Sequence, residues 1–294
     1  MSEYISEAKV VELELKANEI RQSIVEMLVA AGSGHTAGPL GMADVFTAMY
    51  FHVLHHDPKN PDMPDRDRFV QSNGHIAPVR YAAMAHAGYF PISELLSLRK
   101  LGTRLQGHPE RERLPGLETT SGPLGSGLGQ AIGMALVARM DLPAGRQAAQ
   151  PWRTYCTMGD GELDEGIVWE SVMLAGKYRL SNLTVIVDRN NIQIDGMTED
   201  VMPLESLRAK WQAFNWHVLE VDGHNIEAFV DAVQEAKAIY EKPTVIIVHT
   251  IPGKGIKEIE FDYKWHGIPP KPDEAKTFLH ELRTLHGKIE SEHQ

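Results

Sequence analysis

Apolar residues recur at helical spacing over residues 8–31 (Val10, Leu13, Ala17, Ile20, Ile24, Met27, Leu28), and the run stops at Gly32, where a helix can end. Two further helical patterns cover 42–53 and 76–87, the second after a short apolar segment at 69–72. The Pro- and Asp-rich stretch HHDPKNPDMPDRDR between them reads as surface loop. Residues 125–140, GSGLGQAIGMALVARM, are small and apolar on most faces, which predicts a helix buried in a core or at a subunit interface. Beyond it, β-branched runs at 154–157, 183–187, 218–221 and 244–249 alternate with helical patterns at 167–178, 204–214 and 226–240. That alternation is the mark of an α/β fold, a parallel sheet flanked by helices. No repeat or linker interrupts it, so the expectation is one domain over 1–294 with a helical, loop-rich amino-terminal portion. The tail after Pro272 predicts a terminal helix, polar at its end.

Composition narrows the function. The 294 residues are 43% hydrophobic, enough for a substantial core, and carry a formal net charge of −11 with no concentrated basic face. Nucleic acid is therefore not an expected partner, and an anionic ligand would need local help from a metal, histidines or backbone amides. Cys156 is the only cysteine, which excludes an internal disulfide and a cysteine-rich zinc site and points to a reduced, cytoplasmic setting. The opening MSEYISEAKVVELELK is acidic where a signal peptide would be basic, and no stretch is apolar enough to cross a bilayer, so a soluble protein without membrane association is expected.

The chemistry is concentrated between TYCTMGDGELDEG and LTVIVDRNNIQIDG. A βαβ unit takes roughly thirty residues between strand ends, which sets the tip bearing Gly159, Asp160 and Gly161 beside the tip bearing Asn190 and Asn191. Ligands of open parallel sheets bind at those carboxyl ends. A hard cation such as Mg²⁺, with Ca²⁺ or Mn²⁺ as alternatives, takes oxygen ligands and shares them with a phosphate. Asp160, Asn190 and a backbone carbonyl near Ile192 supply one side of such a shell, while the glycines let a diphosphate approach the backbone. Taken singly, GDG and DRNN are ordinary turns; together, each directly after a strand, they favour a metal and diphosphate site.

The GDG…NN pattern resembles the signature of thiamine diphosphate enzymes. SGHTAGPLG, SNGHIAPVRYAAM, LQGHPE and TTSGPLGSGLGQAIGMA follow one another in the order seen in transketolase, so nearly the whole chain resembles the amino-terminal part of that family. The resemblance implies a thiamine diphosphate-binding fold of the diphosphate-binding type and transfer of a two-carbon ketol unit from a ketose to an aldose. It implies that His35 and His108 meet sugar hydroxyls and the ketose carbonyl, that His75 contacts cofactor phosphate, and that His266 lies beside the cofactor. It further implies that Gly122, Pro123 and Leu124 hold and prop the cofactor's rings, that Asp160, Gly161 and Asn190 take the metal diphosphate, and that Glu165 acts in contacts between cofactor sites.

Imidazoles suit such work, since they donate to a developing alkoxide and move hydroxyl protons near pH 7. Each has a plainer alternative in packing or capping, and His55 and His56 are assigned to that class. The glycine-histidine pairs at 34–35, 74–75 and 107–108 would also suit a histidine metal site, against which stands the lack of helical ligand spacing. Thr36 and Ala37 depart from the family's proline and small residue after the first motif histidine. The larger departure is length: the family's second region carries the glutamate that activates the aminopyrimidine and the arginines that hold a sugar phosphate. The sequence thus resembles one subunit of a split transketolase, whose separate partner would carry the pyrimidine-binding and carboxyl-terminal domains in an α2β2 heterotetramer acting on sugars or sugar phosphates. Two other readings are the α subunit of a 2-oxo acid dehydrogenase and a non-catalytic cofactor-binding regulator.

Overall fold

Strands form where β-branched residues cluster and helices where the apolar period is near 3.6, in a computed structural model that describes residues 5–140 and 152–284. The strands are β1 Arg68–Gln71, β2 Thr154–Gly159, β3 Leu183–Arg189, β4 Ile192–Gln193, β5 Gly196–Met197, β6 His217–Asp222 and β7 Thr244–His249. The helices are α1 Glu7–Ala31, α2 Ala37–Gly41, α3 Ala43–Ala48, α4 Ala77–Ala87, α5 Ser126–Met140, α6 Gly166–Tyr178, α7 Thr198–Val201, α8 Leu207–Ala213, α9 Ile226–Ala238 and α10 Pro272–Thr284. The polar end of the tail, beyond residue 284, lies outside the described residues.

The main sheet runs β1-β2-β3-β7-β6 with every pair parallel, and β4 and β5 form a small antiparallel hairpin beyond the tip of β3. Its strands read as continuous apolar runs because both faces are covered. Tyr155, Ile186, Ile246 and Val248 pack with α1, α3, α4, α9 and α10 on one side. Their alternating neighbours Cys156, Val185, Val187, Val245 and Ile247 pack with α5, α6 and α8 on the other.

Helix α1 starts where Ser6 accepts from the Lys9 N–H and ends at Gly32 in the left-handed region, φ 63°, with its N–H on the Leu28 carbonyl. Residues 42–53 do not form one helix: α3 stops at Ala48 and a wider π turn, Met49–Val53, finishes the segment. The segment at 69–72 proves to be mostly an edge strand. Helix α5 buries only one face within the chain, so of the two expected settings the core accounts for that face alone. Leu128, Ala131, Ile132 and Ala135 pack inward, whereas Val137 and Met140 are exposed, as are Ile167, Met173, Leu174 and Tyr178 on the neighbouring α6. Among the described residues no helix is long and apolar enough to cross a membrane.

Parallel strands put their carboxyl ends on one rim. Gly159 pairs with Asp188 and Arg189 with His249, so the residues that follow each strand share a common edge. A buried network holds the remaining wall. Asp44 takes Arg21 and the Nδ1–H of His224 (2.8 Å), while His224 Nε2 accepts from the Ile251 N–H at 2.8 Å. Burial pushes the Asp44 carboxyl up, but Arg21 and His224 outweigh it and hold it at about 2. The Gly253 N–H donates to the Ala37 carbonyl at 2.8 Å, and a Cβ on Gly41 would sit 2.9 Å from the Ile251 carbonyl oxygen, an approach only glycine permits.

Candidate active site

The rim opens into a cleft of about 320 Å³ lined by His35, Asn73, His75, His108, Gly122, Leu124, Gly159, Asp160, Gly161, Glu162, Asp188, Asn190, Ile192, Gln193, Ile194 and His266. The structure therefore gathers His35, His75, His108, His266, Gly122, Leu124, Asp160, Gly161, Asn190 and Ile192, all singled out in the sequence, into one space. Pro123 and Glu165 stand outside its lining. Pro123 is exposed at the lip, where its carbonyl accepts from the Ser126 hydroxyl, and Glu165 is exposed ahead of α6.

On the carboxylate side, the tips of β2 and β3 meet as their spacing requires. One Asp160 oxygen accepts from the Gly161 N–H (2.8 Å), and the other accepts from the Asn191 N–H (2.7 Å) and Arg189 (3.1 Å). Asn191 reaches this position in the left-handed region, φ 63°. The Asn190 side chain accepts from the Ile192 N–H (3.0 Å) and donates to Asp188 (2.8 Å). Asp160, Glu162 and Asp188 are all buried, and burial raises each carboxyl above its ordinary range, that of Asp188 to about 7. Against these three stands the buried Arg189, whose guanidinium also binds Glu199 and Glu205. The surplus of acidic groups suits a divalent cation, as does the oxygen-rich donor set.

On the other side, three imidazoles form a triangle. Ring centres lie 4.9 Å apart for His35 and His75, 5.3 Å for His35 and His266, and 5.2 Å for His75 and His266. His108 is exposed at the mouth. All four have lowered pKa values. His35 falls to about 4 through burial first, then through His266, Arg99 and His108, while burial is the leading cause for the others. Near neutral pH these rings are uncharged, each able to donate from one nitrogen and accept at the other.

The buried Nδ1 atoms of His35 and His266 and both polar atoms of the Asn73 side chain have no hydrogen-bond partner among the described residues. Buried polar atoms left open around a cleft call for a ligand with hydrogen-bonding edges. A Cβ on Gly122 would meet no atom within 4 Å, so space stands free beside it. These features fit a metal-bound diphosphate at one end and a polar ring system with a hydroxylated substrate at the other. Among the described residues no group of three His, Cys, Asp or Glu side chains is arranged to hold a metal ion, so the histidine-only metal site gains no support.

Four residues of the cleft region escape a linear reading: Arg189, Asp188, Glu162 and Asn73. Asp188 and Arg189 lie inside the VDRNN motif, and alternation along a strand could have placed Asp188 opposite Arg189. Nothing local signals Glu162 or Asn73. Thr36, a departure from the family pattern, is buried and donates to the Ile268 carbonyl at 2.6 Å, fastening the His35 loop to the His266 loop. His55 and His56 are structural, as expected: His56 bridges Tyr89 and the Tyr50 carbonyl, and His55 meets the Asp65 carbonyl.

Comparison with known proteins shows the family and the fold. Residues 13–287 match the family described as transketolase, thiamine diphosphate binding domain. A 6-deoxy-6-sulfo-D-fructose transketolase subunit of Clostridium sp. (strain MSTE9) is 42% identical over 272 residues, covering 92% of this chain and 96% of its own. An apulose-4-phosphate transketolase subunit of Phocaeicola vulgatus is 38% identical over 280 residues, covering 95% and 97%. Transketolase from Leishmania mexicana superposes with a TM-score of 0.84 at 33% identity, over 94% of this chain and 45% of that one. The chain thus spans less than half the length of that solved structure.

Proposed function

The chain belongs to the transketolase family, and from that premise we propose that it is the thiamine diphosphate-binding subunit of a two-chain transketolase, active with a separate carboxyl-terminal subunit. The carrying observation is the single cleft that joins Asp160, Asn190 and Ile192 to the histidine triangle. In this reading Asp160, Asn190 and the Ile192 carbonyl would hold Mg²⁺, or Ca²⁺ or Mn²⁺ in its place, and Gly161 and His75 would hold the diphosphate. Gly122 and Leu124 bracket the rings, with Pro123 shaping the turn and His266 beside them. Thiamine diphosphate held there would supply a nucleophilic carbon, the chemistry that transfer of a two-carbon ketol unit needs. His35 and His108 donate to the carbonyl and hydroxyl oxygens of the sugar and return protons as bonds are made and broken. Neutral near pH 7, His35 through burial and His108 through partial burial and the nearby Arg99, they relay protons rather than act as fixed cations.

Several features support a partner. The two subunit relatives match over nearly their full lengths. Apolar side chains of α5 and α6 stand exposed, which is unusual for a finished surface. Among the described residues that line the cleft there is no lysine or arginine. A sulfonate or phosphate on the sugar, such as the names of the two relatives mention, would then be gripped from the partner's side. An α2β2 assembly accommodates two such pairs. Neither the 2-oxo acid dehydrogenase reading nor a purely regulatory one is favoured by any feature of the cleft.

Purified chain mixed with a candidate carboxyl-terminal subunit tests this. Ketol transfer that needs both chains, thiamine diphosphate and a divalent metal is expected. Full turnover by this chain alone would refute the two-chain reading, and decarboxylation of a 2-oxo acid by the mixture would refute the reaction.

A further inference from the structure

One buried carboxylate of the cleft has no part in the chemistry above. Glu162 lies on the short turn Gly161–Asp164 directly after the metal tip and is 2% exposed. Its Oε1 accepts from the Ser72 hydroxyl and from the Gly125 N–H at 2.6 Å, and its Oε2 accepts from the Gly159 N–H at 3.1 Å. Those three donors belong to three separate walls: the segment between β1 and His75, the turn that carries Gly122 and Leu124, and the end of β2. The Ser72 oxygen in turn accepts from the Gly127 N–H at 3.1 Å, so the first turn of α5 hangs from the same knot.

The glycines of SGPLGSGLG match this close gathering. Gly125 has φ 82°, and a Cβ there would lie 2.6 Å from Ile167; a Cβ on Gly127 would lie 2.5 Å from the Ser72 Cβ. The partners of Glu162 just named are all neutral donors. A carboxylate out of water is tolerated only while such donors stay in place, so the group dictates where all three walls must stand.

We propose that Glu162 is a positioning residue that fixes the ring-holding turn, Gly122 and Leu124, at a set distance from the diphosphate-and-metal tip at Asp160. The assignment rests on the cofactor reading of the cleft. It separates Glu162 from Asp160: the one sets the spacing between the two halves of the ligand site, the other meets the metal.

The test uses the full chain with Glu162→Gln and, as a milder change, Ser72→Ala. Glutamine keeps the size but turns an N–H toward a backbone N–H that the carboxylate accepts from, while Ser72→Ala removes one donor to the carboxylate together with the acceptor of the Gly127 N–H, so for that variant exchange is judged on residues 121–126 alone. Amide hydrogen exchange without ligand is compared over residues 121–128 and over the rest of the chain. Affinity is then measured for two probes, Mn²⁺ with inorganic pyrophosphate and Mn²⁺ with thiamine diphosphate. In Glu162→Gln the 121–128 amides are expected to exchange about 10-fold faster or more, with thiamine diphosphate weakened about 10-fold and Mn²⁺ pyrophosphate changed by less than about 3-fold. Ser72→Ala is expected to show the same pattern at smaller size, and it carries the test if Glu162→Gln does not fold. Unchanged exchange over 121–128, or equal weakening of both probes, overturns the assignment. Failure of the unaltered chain to bind either probe would sink the cofactor reading instead, while the ligand-free exchange result would still decide whether Glu162 holds the turn.

Discussion

Replacing Arg189 with methionine should weaken the fold by about 3–4 kcal/mol, and a divalent cation should recover part of that loss. The Arg189 and Asp160 side chains are 4% and 2% exposed and meet at 3.1 Å. Removing one partner of so buried a pair leaves a desolvated charge behind, a change that costs about 3–5 kcal/mol. Asp160 keeps its bonds from Gly161 and Asn191, which places the loss toward the lower end. Glu199 and Glu205 are 38% and 59% exposed, so releasing them adds only about 0–1 kcal/mol each. A Mg²⁺ ion held with pyrophosphate at Asp160 would supply the missing positive charge. Urea unfolding followed by tryptophan fluorescence, in chelator and then with Mg²⁺ and pyrophosphate, reads both parts. The deficit of Arg189→Met should shrink by about 1 kcal/mol or more when metal is added. A variant within about 0.5 kcal/mol of the parent in chelator, or a deficit indifferent to metal, would show that Arg189 does not compensate Asp160.

Other expectations concern the cleft's two ends. Asp160→Ala should abolish retention of metal and thiamine diphosphate on gel filtration, whereas His108→Ala should retain both and slow ketol transfer by about 10²-fold or more; equal loss of retention in the two would refute the division of roles. Stability should also depend on pH through His35. Its folded pKa of about 4 lies below the ordinary 6.5, so between those values the unfolded chain binds a proton that the folded chain does not. Stability contributed by the neutral ring is complete above about pH 6.5 and is lost as pH falls toward 4, at up to about 1.4 kcal/mol per pH unit. His35→Gln should flatten the slope of unfolding free energy between about pH 5 and pH 6 by up to that amount, and an unchanged slope in a urea series would contradict the buried neutral ring.

The larger elements were legible because each carries its own period. Strand β7 falls on 244–249 as its β-branched run predicts, and α1 begins one residue before the expected 8. Misses came where distant contacts decide. Strand β1 has only four residues and takes its conformation from pairing with β2, 86 positions away. Helix α8 starts at Leu207 rather than 204 because Arg189 draws Glu205 out of any helix and Ser206 caps the turn, accepting from the Ala209 N–H. Within the cleft, Asp160 and Asn190 were readable because each follows a strand at βαβ spacing. Glu162 was not, since its meaning lies in Ser72 and Gly125, which sequence alone does not bring near it.

The imidazole triangle takes its corners from positions 35, 75 and 266. During synthesis it cannot close until the last of these has left the ribosome, by which time α1 and every strand of the sheet have already been made. A nascent chain therefore gains no template for its folding from a ligand bound at that corner. Side-chain NMR signals of His35 or His266 would accordingly report completion of the whole architecture rather than of any one part.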